Sequence, residues 1–182
     1  MLNLFARKIE NLGAERDAIQ GARYGAIEVA AGQFRSICLR PLPKLVSIFD
    51  VLVSGRAYHH LKRGDRALLF YNQPRRSPGY LALTYVLSTR DCTLATLHTG
   101  LAILDQVAEI KGSDALVCDA WNWRISERLM ARAGWEPHLP SRWHRHYIRR
   151  FYGVYPVRGA ATRTASLEDA ALAGAAEMAL LA

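Results

Sequence analysis

The sequence predicts a mixed α/β (α+β) domain, with one mixed central sheet and helices on both of its faces. Of the 182 residues, 51% are hydrophobic, which is enough for a single sizeable core. Short β-branched and aromatic runs alternate with segments of helical period. The late strand Ala115–Asp119 can reach its neighbour only through a crossover helix. That connection predicts a parallel pair inside a largely antiparallel sheet.

The two ends of the chain differ in composition from its middle. Apolar residues recur at helical spacing in residues 1–20, which predicts an appended amphipathic helix. These residues are Leu2, Phe5, Ile9 and Leu12. A single domain is expected over residues 21–155. Residues 156–182 are rich in alanine and poor in large apolar side chains, so we expect a poorly ordered tail.

The first half of the domain predicts a hairpin followed by a helix. Ala26–Ala30 and Phe34–Leu39 are strand-like runs, and Ala31-Gly32-Gln33 between them supplies a turn. Pro41 and Pro43 then favour the start of a helix, because the fixed φ of proline suits the first helical turn.

From Arg66 onward, strands and helices alternate with short links. Gly112 is a typical helix stop, and Asn122 can cap the second helix of this region. The predicted elements are the strands Arg66–Asn72 and Tyr80–Ser88, the helix Leu94–Lys111, the strand Ala115–Asp119, the helix Arg124–Ala133, and two closing strands, Trp135–His138 and Trp143–Phe151.

Composition narrows the class of protein. The three cysteines (Cys38, Cys92 and Cys118) lack zinc-site spacing, which is typical of reduced thiols in a cytoplasmic protein. No apolar run approaches the ~20 residues of a membrane helix, so no membrane partner is expected. The net charge of +8 favours an anionic partner such as a nucleic acid, an anionic cofactor or an acidic protein.

The excess charge is concentrated between Trp121 and Tyr152, where seven arginines stand against Glu127 and Glu136. Arginine forks bind phosphates through two hydrogen bonds, which makes this stretch a candidate anion-binding face. The predicted anion-binding residues are Arg124, Arg128, Arg132, Arg142, Arg145 and Arg149. The alternative interpretation is a solvated arginine face above a core of aromatic side chains.

The histidines His138, His144 and His146 lie close together in sequence. No cysteine or carboxylate completes a ligand set, and neighbouring arginines repel a cation. No metal site is therefore predicted.

A ligand crevice is predicted where the parallel strand ends. In open α/β sheets, ligands collect beyond the carboxyl ends of such strands. Asp119 and Asn122 follow this strand, and Ser88 ends its neighbour. Alternatively, Asp119 hydrogen-bonds to the start of the next helix.

The element order over residues 66–152 resembles the GNAT superfamily of N-acetyltransferases. The second helix carries the best local match, because Asn122 opens it, Leu129-Met130 is an apolar pair within it, and Gly134-Trp135 follows it. The resemblance implies an N-acyltransferase that uses acetyl-CoA or another acyl-CoA. It also implies direct attack of an amine on the thioester, with backbone donors polarising the carbonyl.

Two departures separate the sequence from that family. The family's phosphate-binding loop, (Gln/Arg)-x-x-Gly-x-(Gly/Ala), would fall near Cys92–Leu97, where there is no glycine; Arg90 could supply charge nearby. The family's general-acid tyrosine corresponds to Met130, which cannot transfer a proton. Catalytic residues and oligomeric state are not predicted. The alternatives are a non-catalytic GNAT-fold module that binds an anionic partner through its arginines, and a scaffolding protein that uses its N-terminal helix.

Overall fold

The computed structural model describes residues 7–41, 64–120, 127–138 and 145–156. These residues form one mixed sheet with helices packed against it. The strands are β1 (Arg7–Ile9), β2 (Tyr24–Ala30), β3 (Gln33–Arg40), β4 (Arg66–Asn72), β5 (Tyr80–Ser88), β6 (Ala115–Asp119), β7 (Glu136–Pro137) and β8 (His146–Arg150). The helices are α1 (Arg16–Gly21), α2 (Leu94–Lys111) and α3 (Glu127–Arg132).

The sheet runs in the order β1-β3-β2-β4-β5-β6-β8-β7. Strands β5 and β6 are parallel, and α2 crosses over between them; the other described pairs are antiparallel. The predicted mixed α/β fold is therefore confirmed. So is the element order that the sequence implied from Arg66 onward, including the exact bounds of β4, β5, α2 and β6.

Helix α2 covers the middle of the sheet and packs on β2, β3 and β4. Ile27, Leu69 and Leu104 are fully or almost fully buried in this layer. Gly100 lets the helix approach closely, because a Cβ there would lie 2.5 Å from Cδ1 of Leu69. The core is thus formed where one helix face meets alternate residues of three strands.

The prediction of one helix over residues 1–20 is wrong for Arg7–Ile9, whereas α1 begins at Arg16 within the same range. Arg7–Ile9 forms β1 beside β3, and Ile9 lies opposite Ile37 with no exposed surface. Oδ1 of Asn11 then accepts hydrogen bonds from the amides of Gly13 and Ala14, which fixes a turn before α1. The apolar spacing of this segment fits a helix, and it does not show that Ile9 is buried by pairing with β3.

Several predictions lie outside the described residues. These are the helix expected after Pro41, the capping role of Asn122, the positions of Arg124 and Arg142, and the tail beyond Pro156. The predicted hairpin is confirmed: β2 and β3 pair antiparallel around Ala31 and Gly32, which adopt φ values of 51° and 68°.

Candidate functional site

The candidate ligand cleft begins where β5 and β6 stop pairing. Their last registered pair is Leu83 with Cys118, yet β5 continues to Ser88. Beyond Leu83, the described part of the chain supplies a pairing strand to β5 only on the β4 side. Pairing between the two parallel strands therefore stops near their carboxyl ends, which is where α/β sheets collect ligands.

A β-bulge in β5 lies at the same point. Tyr71 pairs with Leu83 and Phe70 with Tyr85, so Thr84 is the extra residue. Its hydroxyl donates to the Phe70 carbonyl at 3.0 Å. Bulges bend a strand and re-aim the side chains that follow. Tyr85 and Val86 are exposed after the bulge, at 37% and 43%, and give this segment an apolar surface.

Asp119 and His146 face each other beside the start of the cleft. They are register partners in β6 and β8, and Nδ1 of His146 lies 3.9 Å from Oδ1 of Asp119. Both side chains are partly exposed. A carboxylate next to a histidine is an arrangement that can orient a general base.

Ser88 and Asp119 are not brought side by side. Asp119 is one residue past Cys118, whereas Ser88 is five residues past Leu83 in the neighbouring strand. At roughly 3.3 Å per residue, this offset of four residues is about 13 Å along the sheet. Asp119 therefore belongs to the closed end of the cleft, and Ser88 to its far rim.

The N-terminal end of α2 is occupied by the chain's own carboxylate. Asp65 accepts hydrogen bonds from the Thr93 amide (2.9 Å) and from the hydroxyls of Thr93 (2.9 Å) and Thr96 (2.6 Å). Desolvation opposes ionisation there, but these hydrogen bonds outweigh it and hold the pKa of Asp65 below its ordinary value. The positive end of the helix, where the resemblance places coenzyme A phosphates, thus already holds an anion.

Thr96 and Cys92, also at the start of α2, are respectively engaged in hydrogen bonds and unreactive. The Thr96 hydroxyl also accepts from the Gly32 amide at 2.8 Å, which ties the β2–β3 turn to α2. Burial foremost, together with Asp65, raises the pKa of the Cys92 thiol to about 11, so this cysteine is not a ready nucleophile. Arg90 is exposed in the turn that follows β5.

Helix α3 offers no proton donor at the position singled out by the sequence. Met130 packs against the hydrophobic core, and its carbonyl accepts from the Trp135 amide at 2.9 Å where the helix ends at Gly134. Gly134 adopts a φ of 75°, in the left-handed region that glycine tolerates. The Gly-Trp exit is therefore a helix stop that also buries Trp135, which is only 2% exposed.

The described members of the predicted anion-binding set differ in their exposure. Arg128 and Arg132 are exposed on α3. Arg149 instead points into the domain, where it pairs with the buried Asp105 at 3.2 Å and donates to the Ala133 carbonyl. Arg149 is thus held by groups of its own domain, which removes it from the predicted anion-binding face. Arg145 is partly buried next to β8.

The described residues contain no group of three histidine, cysteine or acidic side chains that could hold a metal. Burial foremost, together with Asp119, raises the pKa of the Cys118 thiol to about 12.

Within the described parts of the chain, no helix is long and apolar enough to cross a membrane.

Sequence reasoning missed Asp65 and the Asp119–His146 pair. Asp65 lies 28 residues before Thr93, and no local pattern links the two. The pairing of Asp119 with His146 depends on β8 lying beside β6. Asp119 itself was found as a candidate because it stands at the end of the parallel strand.

Comparisons with known proteins add little to this geometry. No family model matches the chain, and no curated protein matches it in sequence. A crystal structure of nourseothricin acetyltransferase is similar, with a TM-score of 0.39 and 9% sequence identity over 80% of this chain and 98% of that chain. At this level of similarity, the function has to be argued from the chain's own residues.

Proposed function

We propose that the chain is a GNAT-like N-acyltransferase whose acyl donor lies in the cleft between β5 and β6. The observation that carries this proposal is the end of strand pairing at Leu83 and Cys118, with β5 continuing to Ser88. This opening lies at the carboxyl end of the parallel pair, and a bulge at Thr84 marks its start.

The cleft suits an extended ligand that carries amide groups. In residues 84–88 of β5, alternate backbone groups point away from β4 and toward the cleft. An extended chain can hydrogen-bond to such a strand edge as an added strand would. The pantetheine arm of an acyl-CoA has amide groups along an extended chain, and Tyr85 and Val86 are exposed side chains on the two faces of this strand.

We assign the role of general base to His146. The amine nitrogen attacks the thioester carbonyl carbon, a C–N bond forms, and the C–S bond breaks. His146 takes the proton that the amine loses, while the carboxylate of Asp119, 3.9 Å away, stabilises the imidazolium electrostatically. The leaving thiolate takes its proton from solvent, because thiols have pKa values near 8.5 and leave readily as anions. Met130 need not act as an acid in this scheme.

The donor's phosphates must bind away from the start of α2. Asp65 already occupies that helix end, and a second anion beside it would be repelled. Arg90, exposed two residues after Ser88, supplies a positive side chain along the far rim of the cleft. The proposal therefore places the thioester arm in the cleft and leaves the helix end to Asp65.

A thiol-release assay with acetyl-CoA and longer acyl-CoAs, over a panel of amines, tests this function. His146→Ala should lower the rate roughly 100-fold, which is typical for the loss of a general base. His138→Ala is the matched control, because His138 bonds to β8 through its backbone and should retain the rate. Absence of thiol release with every donor, or equal rates for both variants, would refute the proposal.

A second candidate is a non-catalytic module that binds an anionic partner. The observation favouring it is the exposure of Arg128 and Arg132, one helical turn apart on α3. Replacing both with glutamine should reduce the salt dependence of nucleic-acid affinity by about two released counterions. Arg35→Gln, an exposed change on β3, is the control. An unchanged salt slope in the double variant would eliminate this candidate.

A further inference from the structure

A second concave site lies at the end of the sheet away from the cleft. Its cavity of about 300 Å³ is open to solvent and is lined by the starts of β1 and β2, the end of α1, the end of β3 and the β4–β5 loop. The register places these strand ends together, because Arg7 lies opposite Leu39 and Tyr24 lies opposite Arg40.

Positive charge dominates the described lining of this cavity. Four arginines contribute to it: Arg7, Arg23, Arg40 and Arg75. Glu15 neutralises Arg7 through a 2.8 Å ion pair. Arg23 and Arg75 are exposed, and neither forms an ion pair or a side-chain hydrogen bond with a described residue. No acidic residue is among the described lining residues, so Arg23 and Arg75 bring two positive charges to this lining without a described counter-charge.

The end of α1 borders this cavity, and Lys111 offsets the negative charge of its carbonyls. The C-terminal carbonyls of a helix carry partial negative charge. Lys111 donates to the carbonyls of Gln20 and Ala22 at the end of α1, and to Oε1 of Gln73. Burial foremost, and then the charge of Arg23, lowers the pKa of Lys111 to about 8. The charges of Lys111 and Arg23 both contribute positive potential around the cavity.

We propose that this cavity binds a compact phosphorylated ligand, with its phosphate held between Arg23 and Arg75. Guanidinium forks bind phosphate oxygens through paired hydrogen bonds, and a doubly charged group compensates two arginines better than a carboxylate does. The volume is at the small end of ligand pockets, which suits a phosphate with a small organic group. The Tyr24 ring and Leu39 supply the apolar contact for that group. This inference does not depend on the proposed acyl transfer.

Binding of inorganic phosphate and of pyrophosphate to the full chain, at constant ionic strength, tests the site. Calorimetric titration should detect both anions, and the melting temperature should rise with their concentration by mass action. Arg75→Gln and Arg23→Gln should each weaken binding at least tenfold. Arg76→Gln is the matched control, because Arg76 is the exposed neighbour of Arg75 outside the lining of the cavity.

The same titrations can overturn the inference. Equal affinities in Arg75→Gln and Arg76→Gln would place any phosphate binding elsewhere, and absence of binding in the unchanged protein would remove the site. Succinate serves as the carboxylate arm: tighter binding of succinate than of phosphate would refute the phosphate assignment. Each substituted arginine is exposed, so circular dichroism should show an unchanged fold for all three variants.

Discussion

The two ends of α2 satisfy their backbone groups in different ways. At its start, Thr93 caps the helix by accepting from the Thr96 amide at 3.2 Å, and Asp65 reaches in from the distant start of β4. At its end, Gly112 adopts a φ of 62° and its amide donates to the carbonyls of Ala108 and Glu109. The start therefore depends on tertiary structure, whereas the end depends on one local residue.

This difference has a functional consequence. The N-terminal end of a helix is a general anion site, and here a built-in carboxylate fills it. Any phosphate that the protein binds must be recognised elsewhere, and the arginine cavity at the other end of the sheet offers the charge for it. The start of α2 is thus a structural anion site, whereas the arginine cavity is open to a ligand.

Breaking the start of α2 should have the largest effect. Asp65→Ala removes three hydrogen bonds to a charged group, and should lower the free energy of unfolding by about 3 kcal/mol at pH 7. Urea denaturation measures the change. Because the pKa of Asp65 is lowered in the folded state, this stability is present above its unfolded pKa and is lost as pH falls through its folded pKa.

Asp17→Ala is the control for this prediction, because Asp17 is an exposed acid on α1. It should change the free energy of unfolding by less than about 1 kcal/mol. A similar loss in both variants would mean that Asp65 has no special role at the start of α2.

The middle of α2 holds a second carboxylate, Asp105, whose pKa shifts in the opposite direction from that of Asp65. Burial raises the pKa of Asp105 to about 6, although Arg149 opposes this shift. Between its unfolded pKa and pH 6, the folded state therefore binds more protons, and the contribution of Asp105 to stability falls as pH rises. Relative to Asp105→Asn, the unchanged protein should lose about 2 kcal/mol between pH 4 and pH 6.

Urea denaturation at pH 4, 5 and 6 provides that measurement. The difference between the two proteins isolates Asp105 from other groups that titrate in this range. Parallel stability curves for Asp105→Asn and the unchanged protein would show that Asp105 ionises normally in the folded state.

The end of α2 should give the smallest effect. Gly112→Ala places a Cβ in open space but forces a left-handed φ, so the cost is backbone strain of about 1 kcal/mol. Gly112→Asn should lose less, since asparagine tolerates this conformation. Thermal unfolding of both variants measures the order. Gly21→Ala, also in open space but without a positive φ, should be nearly neutral; an equal loss there would contradict the strain argument.

Most of the fold could be predicted because its signals are local. The strands β4 and β5 are apolar runs bounded by turn residues, and α2 combines helical period with the Gly112 stop. The prediction of one helix over residues 1–20 was wrong for the segment that forms β1. Ile9 fits a helical pattern equally well, and only its pairing with Ile37 makes it a strand residue.

The candidate site could be predicted only in part. The end of β6 led to Asp119, because the rule about parallel strand ends applies to the sequence directly. Ser88 was expected to line the same crevice, and its offset from Asp119 along the sheet follows from the register between β5 and β6, which cannot be read from either strand alone. Arg149 was assigned to an anion-binding face, but its neighbour across the fold is the buried Asp105.

Local signals were enough to predict the α/β class, the parallel crossover through α2 and the helix stop at Gly112, because periodicity, turn residues and glycine act within a few neighbouring residues. Which charges meet depends instead on the packing of distant segments. That packing places Asp65 at the start of α2, Arg149 against Asp105, and Arg23 near Arg75 in an open cavity. Electrostatic pairing depends on distances across the fold and on burial, and neither is encoded in any short stretch of the chain.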